Sequence, residues 1–279
     1  MRVSRYCVLL SCLFLAFSSS TFAQTSSSES PQAASLLQQS LAAQTAGAVV
    51  TDLTLTGTVT FIHGTQTESG PMTLTALAAG TTQVVFELPS GTRTEIWSNS
   101  GGSPTISGTG PKGSSTQPAG GSVAMPSAAW FSPAVLTNLL SGAAYTSSYV
   151  GQETRNGANV QHISVSQTPS PSSAVPAFIS NPQTQSDIYL NPSSALPVSM
   201  VFPVRPQPQP GKPLSIRARP APEEVRFLNY QNVQGRMIPL HIQLFLGLPP
   251  SQQQIMDLTI SSAALNTGAT ITVPAAAAN

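Results

Sequence analysis

Over residues 53–61 the chain alternates without a break. Leu53, Leu55, Gly57, Val59 and Phe61 fall on one side of an extended run, and Thr54, Thr56, Thr58 and Thr60 fall on the other. A period of two, with β-branched threonine on the second side, predicts a long antiparallel strand with one dry and one wet face. The alternation repeats at Met72 and Leu74, at Val84, Phe86 and Leu88, and at Thr94 and Ile96, with turn signals at Ala79-Gly80 and Pro89-Ser90-Gly91 between the runs. It returns at Val225 and Phe227, at Ile238, Leu240, Ile242, Leu244 and Leu246, and at Met256, Leu258 and Ile260. Asn156-Gly157 reads as a two-residue hairpin turn, because both positions tolerate the positive φ of a type I′ turn. Asn191-Pro192-Ser193-Ser194 reads as the turn of a further hairpin.

Two short stretches break this period. Ser30 and Pro31 read as the cap and first residue of a helix that Gly47 stops, with a narrow apolar stripe at Ala34, Leu37 and Leu41. Ser132 and Pro133 open a second helix that Gly142 ends, with Phe131 placed to pack on Leu136. Residues 99–121 are rich in Gly, Ser, Thr and Pro and lack periodicity, so they read as a surface insertion; residues 203–222 are proline-dense and read as an excursion from the core. The expected fold is mainly β with two short helices (α+β): about nine to eleven strands in a strongly curved antiparallel sheet, an unclosed β-barrel whose concave apolar face the helices cover.

The first residues change the setting. Arg2 and Arg5, an apolar run over residues 8–17 and Thr21-Phe22-Ala23 before Gln24 form a secretory leader, so residues 1–23 read as a signal peptide and 24–279 as one domain, periplasmic or secreted. A lipidation site at Cys12 is the weaker alternative, since the apolar run continues past it. Cys7 and Cys12 both fall in the leader, so the mature chain has no thiol for a disulfide, a metal or a nucleophile. Without the leader, nine basic residues stand against ten acidic ones, which gives no basic footprint for nucleic acid. Only 8% of residues are charged, against roughly 25% in an average soluble protein. No mature stretch reaches the roughly 20 apolar residues of a membrane-spanning helix.

Catalytic chemistry finds little support. His63, His162 and His241 are distant in sequence, with no carboxylate at metal-ligand spacing beside any of them. No Gly-x-Ser-x-Gly, His-Glu-x-x-His, phosphate-loop or dinucleotide motif occurs. Glu223-Glu224 point to opposite faces of a strand and read as a solvated pair. We therefore expect no enzyme, no cofactor and no metal site. The dry faces admit two readings, an ordinary core or a groove for acyl chains. For the second, the candidate lining is Leu53, Leu55, Val59, Phe61, Phe86, Leu88, Phe227, Leu240 and Ile242.

The order leader, amphipathic helix, long strand, meander, helix and hairpin, followed by Asp187-Ile188-Tyr189-Leu190-Asn191-Pro192 with Leu196-Pro197, resembles the LolA/RseB-type superfamily of periplasmic lipoprotein carriers and sensors. Phe227-Leu228-Asn229-Tyr230, Gly235-Arg236-Met237-Ile238-Pro239 and Leu258-Thr259-Ile260 with Leu265-Asn266 are similar to strand endings of that group. The resemblance implies an unclosed barrel with helices plugging its mouth. The implied partner is a lipid or a lipoprotein acyl chain, held while it crosses an aqueous space. The other expectation is a non-enzymatic envelope scaffold with a filled core, binding another envelope protein through its loops.

Overall fold

The computed structural model describes residues 30–46, 50–78, 81–98, 105–111, 113–118, 133–142, 145–167, 185–203, 222–247 and 250–273. The leader, the Ala79-Gly80 turn, Gly47 and nearly all of the proline-dense excursion lie outside them. Helix α1 (Pro31–Thr45) starts where the cap signal puts it: the Ser30 hydroxyl accepts from the Ala33 amide at 3.4 Å, and Pro31 follows. Ala46 ends the helix in the left-handed conformation, its amide donating to the Ala42 carbonyl. The buried stripe is rotated from the expected one. It runs through Ala33, Leu37, Ser40 and Gln44, while Ala34 and Leu41 are half-buried. Two polar residues sit on that stripe because they meet partners there: the Gln44 amide donates to the Ser40 hydroxyl and, on α2 (Pro133–Leu140), to the Thr137 hydroxyl, both at 3.2 Å.

Among the described residues thirteen strands form one antiparallel sheet. They are β1 (Asp52–His63), β2 (Gln66–Leu77), β3 (Thr82–Leu88), β4 (Gly91–Ser98), β5 (Thr105–Gly110), β6 (Gly113–Pro118), β7 (Tyr145–Arg155), β8 (Ala158–Gln167), β9 (Gln185–Leu190), β10 (Pro197–Pro203), β11 (Pro222–Val233), β12 (Arg236–Leu246) and β13 (Gln253–Leu265). Their spatial order is β6-β5-β4-β3-β2-β1-β13-β12-β11-β10-β9-β8-β7. The chain thus enters the sheet at its middle, walks by hairpins to the β6 edge, and crosses to the opposite edge through the segment that carries α2. It then walks back from β7 until β13 lies beside β1. The β6 and β7 edges do not pair, so the sheet is unclosed. Residues 105–118, expected to leave the core as an insertion, extend the sheet by a hairpin on β4; their alternation is masked in sequence by Gly and Ser, which bring no apolar side chain to either face.

The turn signals act as expected. Asn156 and Gly157 both have positive φ, at 51° and 80°. Asn191 closes its turn by accepting from the Ser193 and Ser194 amides at 2.9 and 3.0 Å. The seam between β1 and β13 is fastened at one end by Asp52, whose carboxylate accepts from the Thr267 hydroxyl and amide and the Gly268 amide. The Thr267 hydroxyl is the main cause that holds Asp52 down at about 2. Mid-seam, the register shifts at Thr56/Gly57, and a Cβ at Gly57 would overlap the Thr259 carbonyl. That close approach is why a glycine interrupts an otherwise leucine-and-valine face.

Candidate functional site: the inner face of the sheet

Residues directly opposed in antiparallel pairs share a face, so the register traces the dry surface strand by strand. One row joins Ile163, Ile188, Met200, Val225, Leu244, Met256 and Phe61 across seven strands. A neighbouring row joins Phe227, Ile242, Leu258 and Val59. All nine candidate lining residues lie on this surface: Leu55, Val59, Phe86, Leu88, Phe227 and Ile242 are buried in one apolar cluster, and Leu53, Phe61 and Leu240 are half-buried against it. Phe61 meets Phe86 edge to face, with ring centroids 5.1 Å apart. The Arg93 guanidinium lies over Phe61 and within 3.4 Å of Glu68, so one charged pair borders the dry face. On β4 the inward residues are Glu95 and Trp97, not Thr94 and Ile96: Glu95 is opposed to Val84 and Trp97 to Thr82.

The same register puts polar groups on this face that the apolar pattern did not single out. Ser147 and Ser186 flank Val165 from either side, and Glu223 lies between Phe202 and Leu246. The Ser147 and Ser186 hydroxyls and Glu223 Oε2 are buried and find no hydrogen-bond partner in the protein. Burial, then the charge of Glu95, pushes the Glu223 carboxyl up to about 7. Glu95 on β4 and Glu223 on β11 are six strand positions apart. In a flat sheet that is on the order of 29 Å, well beyond the range of screened charge interaction. Their coupling therefore requires the two strands to face each other across the interior. The sheet is curved, and this face is its concave side.

The opposite face is polar, and its buried carboxylate is met by donors from the chain itself. Glu224, expected to be solvated, is 1% exposed. Its carboxylate accepts from Arg155 Nε at 3.1 Å, Arg226 Nη2 at 3.0 Å, Gln252 Nε2 at 2.6 Å and Asn156 Nδ2 at 3.3 Å. Burial alone would raise it, but the hydrogen bonds from Arg226 and Gln252 and the charge of Arg155 outweigh burial and hold it at about 2. Arg155 in turn stacks on Tyr189, and Arg226 on Phe245. Folding also gives two histidines the carboxylates they lack in sequence: His162 Nε2 lies 3.1 Å from Asp187, and His241 Nε2 lies 3.0 Å from Asp257. Each pair is a diagonal contact between neighbouring strands on this same face. Among the described residues no group of three or more His, Cys, Asp and Glu is arranged to hold a metal.

At one end of β11, β12 and β13 a hollow of about 520 Å³ opens to the surface, lined by Asn229, Tyr230, Gln231, Leu240, His241, Thr259 and Ile260. Leu240 is the candidate lining residue that reaches it.

The unclosed antiparallel sheet of this chain is a fold it shares with solved proteins of the LolA superfamily. A LolA superfamily protein from Nitrosomonas europaea is 12% identical at a TM-score of 0.52, over 87% of this chain and 94% of that one. A domain from Vibrio parahaemolyticus, named for outer membrane lipoprotein sorting, is 12% identical at 0.54 over 86% and 94%. A DUF1329 family protein from Desulfovibrio piger is 10% identical at 0.55 over 85% and 95%. No protein-family model matches the sequence, and no curated protein matches it. Among the described residues no helix is long and apolar enough to cross a membrane.

Proposed function

We propose that residues 1–23 export the chain to the cell envelope and that residues 24–279, as one domain, bind a lipid or a lipidated partner on the concave face, without covalent chemistry. The observation that carries this reading is the apolar row that runs unbroken across seven strands of an unclosed sheet. Enclosing an acyl chain there gains roughly 0.8 kcal/mol for each CH₂ taken from water. The helices are its cover: α1 packs against α2 and against both β7 and β12, strands five places apart in the sheet. A helix that touches two separated strands of a curved sheet spans the mouth between them. Leu53, Leu55, Val59, Phe61, Phe86, Leu88, Phe227, Leu240 and Ile242 line the groove beneath, and entry of a chain displaces α1 or α2. Neighbours of this fold include a domain named for outer membrane lipoprotein sorting, which fits an envelope carrier or sensor.

The second reading is an envelope scaffold whose core is already full. The burial of Leu55, Val59 and Phe227 under the chain itself favours it. Native purification, solvent extraction and mass spectrometry separate the two, together with titration of a fluorescent fatty acid. Co-purifying lipid and saturable uptake support the groove; neither lipid nor uptake leaves the scaffold.

A further inference from the structure

The concave face is not uniformly oily. Ser147 and Ser186 are 2% and 0% exposed, yet neither hydroxyl has a hydrogen-bond partner in the protein, and the same holds for Glu223 Oε2. Native interiors leave few such groups unpaired, since each costs the full desolvation of a donor or acceptor. Three of them lie on the inner face, on β7, β9 and β11, with Val165 between the two serines and Phe202 and Leu246 beside Glu223; on the outer face Ser199 Oγ and Arg226 Nε are unpaired as well. On the outer side of the same strands every oxygen of Glu224 is engaged.

Resting on the reading that this face binds acyl chains, the geometry points to a polar anchor formed by Ser147, Ser186 and Glu223 that holds uncharged hydrogen-bond acceptors of the ligand, the carbonyl oxygens of an acyl ester or acyl amide. A serine hydroxyl has one hydrogen to donate, and a protonated carboxyl has one as well. Serines on alternate strands stand about 10 Å apart, as do Ser186 and Glu223. They serve separate acceptors along an extended molecule rather than one compact ion. An anionic head group fits poorly, because Glu95 on β4 faces the anchor.

Glu223 makes the anchor respond to pH. Among the described residues Glu95 is the ionisable group that faces it. Phe202 and Leu246 flank it on β10 and β12, Glu224 and Arg226 of its own strand point to the other face, and α1 and α2 contain no charged residue. With its carboxyl pushed up to about 7, Glu223 donates a proton below neutral pH. Above it the carboxylate only accepts, and repels a carbonyl oxygen.

The test uses the full mature chain and displacement of bound Nile red by three probes that share a twelve-carbon chain: methyl dodecanoate, dodecane and dodecanoate. The ester should displace the dye at roughly fivefold lower concentration than the alkane at pH 6, the worth of about one hydrogen bond, and this advantage should shrink at pH 8. Glu223→Gln keeps a donor, so the ester advantage should persist and lose its pH dependence. The paired change Ser147→Ala with Ser186→Ala should erase much of the advantage and leave dodecane unaffected. If ester and alkane compete equally in the wild type, or if none of these substitutions moves the ester, the anchor does not exist and water fills its place. If neither dye nor any probe binds, the groove itself is absent and the anchor goes with it.

Discussion

Glu223 and Glu224 are neighbours in the chain and opposites in fate. Both have been drawn out of water, one on each side of β11. Glu224 is met by two arginines, a glutamine and an asparagine and is held ionised down to about pH 2. Glu223 meets phenylalanine, leucine and another acid, and is pushed up to about 7. Two carboxyls with one covalent geometry thus titrate far apart, because one side of the sheet is built to satisfy charge and the other to exclude water. The outer face meets its buried carboxylate with donors from the chain itself, whereas the inner face leaves an oxygen of Glu223 without one.

The largest expected effect comes from breaking the finished side. Glu224→Ala leaves Arg155 and Arg226, each with a side chain about one-fifth exposed, without their counter-charge. Removing one partner of a buried pair typically costs about 3 to 5 kcal/mol. Urea unfolding of the variant should show a loss of that order. A loss below about 1 kcal/mol would mean that the arginines relax into solvent and that the outer network is loosely held.

The inner side should behave in the opposite sense. The folded-state pKa of Glu223 is raised above its ordinary 4.5 to about 7. The folded protein therefore holds this proton in a window where the unfolded chain has released it, and stability falls as pH rises from about 4.5 to 7. One pKa unit is worth 1.36 kcal/mol, so the cost above pH 7 is about 3 kcal/mol, and less where solvent screens the group. Glu223→Gln removes it. The variant should be more stable than wild type at pH 8, by about 2 to 3 kcal/mol, and indistinguishable from it at pH 4. Equal stabilities at both pH values would show that Glu223 is solvated and that the two faces do not differ as described.

A third substitution tests the backbone beneath the inner face. Gly57→Ala places a methyl against the Thr259 carbonyl at the β1–β13 seam. Forcing apart a packed contact of this kind costs about 1 to 3 kcal/mol. Thermal unfolding should register it, while replacement at Gly64, whose added Cβ would meet nothing within 4 Å, strains only its left-handed φ of 62°.

Much of this contrast was legible in the sequence. Period two put Leu53, Leu55, Val59 and Phe61 on one side of β1, and the same rule put Leu240 and Ile242 on one side of β12; turn chemistry at Asn156-Gly157 and Asn191 fixed two hairpins. What failed was the treatment of polar residues as marks of the wet side. Glu223 stands two places before Val225 and Ser186 two before Ile188, so the period itself assigned them inward; on β4 the reading that put Thr94 and Ile96 on the dry side was one place out of phase and turned Glu95 outward. The solvated reading of Glu223-Glu224 overrode that assignment. The partners of Glu224 were out of reach for another reason: Arg155 and Gln252 come from β7 and the loop before β13, and only the spatial strand order brings them together. The hairpin of β5 and β6 escaped because Gly, Ser and Thr carry little amphipathic contrast.

The smallest expected effect separates polarity from burial on the outer face itself. Asp257 resembles Glu224 in partners, accepting from His241, Gln243 and Gln254 at 3.0, 3.0 and 2.7 Å. Those bonds, from Gln243 and His241 above all, hold it below its ordinary value even though burial alone would raise it. Its side chain is 30% exposed where that of Glu224 is 2% exposed. Water can therefore replace its hydrogen bonds, and an exposed ion pair contributes about 0 to 1 kcal/mol. Asp257→Ala should lower stability by less than about 1 kcal/mol, with a deficit that shrinks in high salt. A cost near that of Glu224→Ala would mean that the number of partners, rather than exclusion of water, sets the worth of a carboxylate on this sheet.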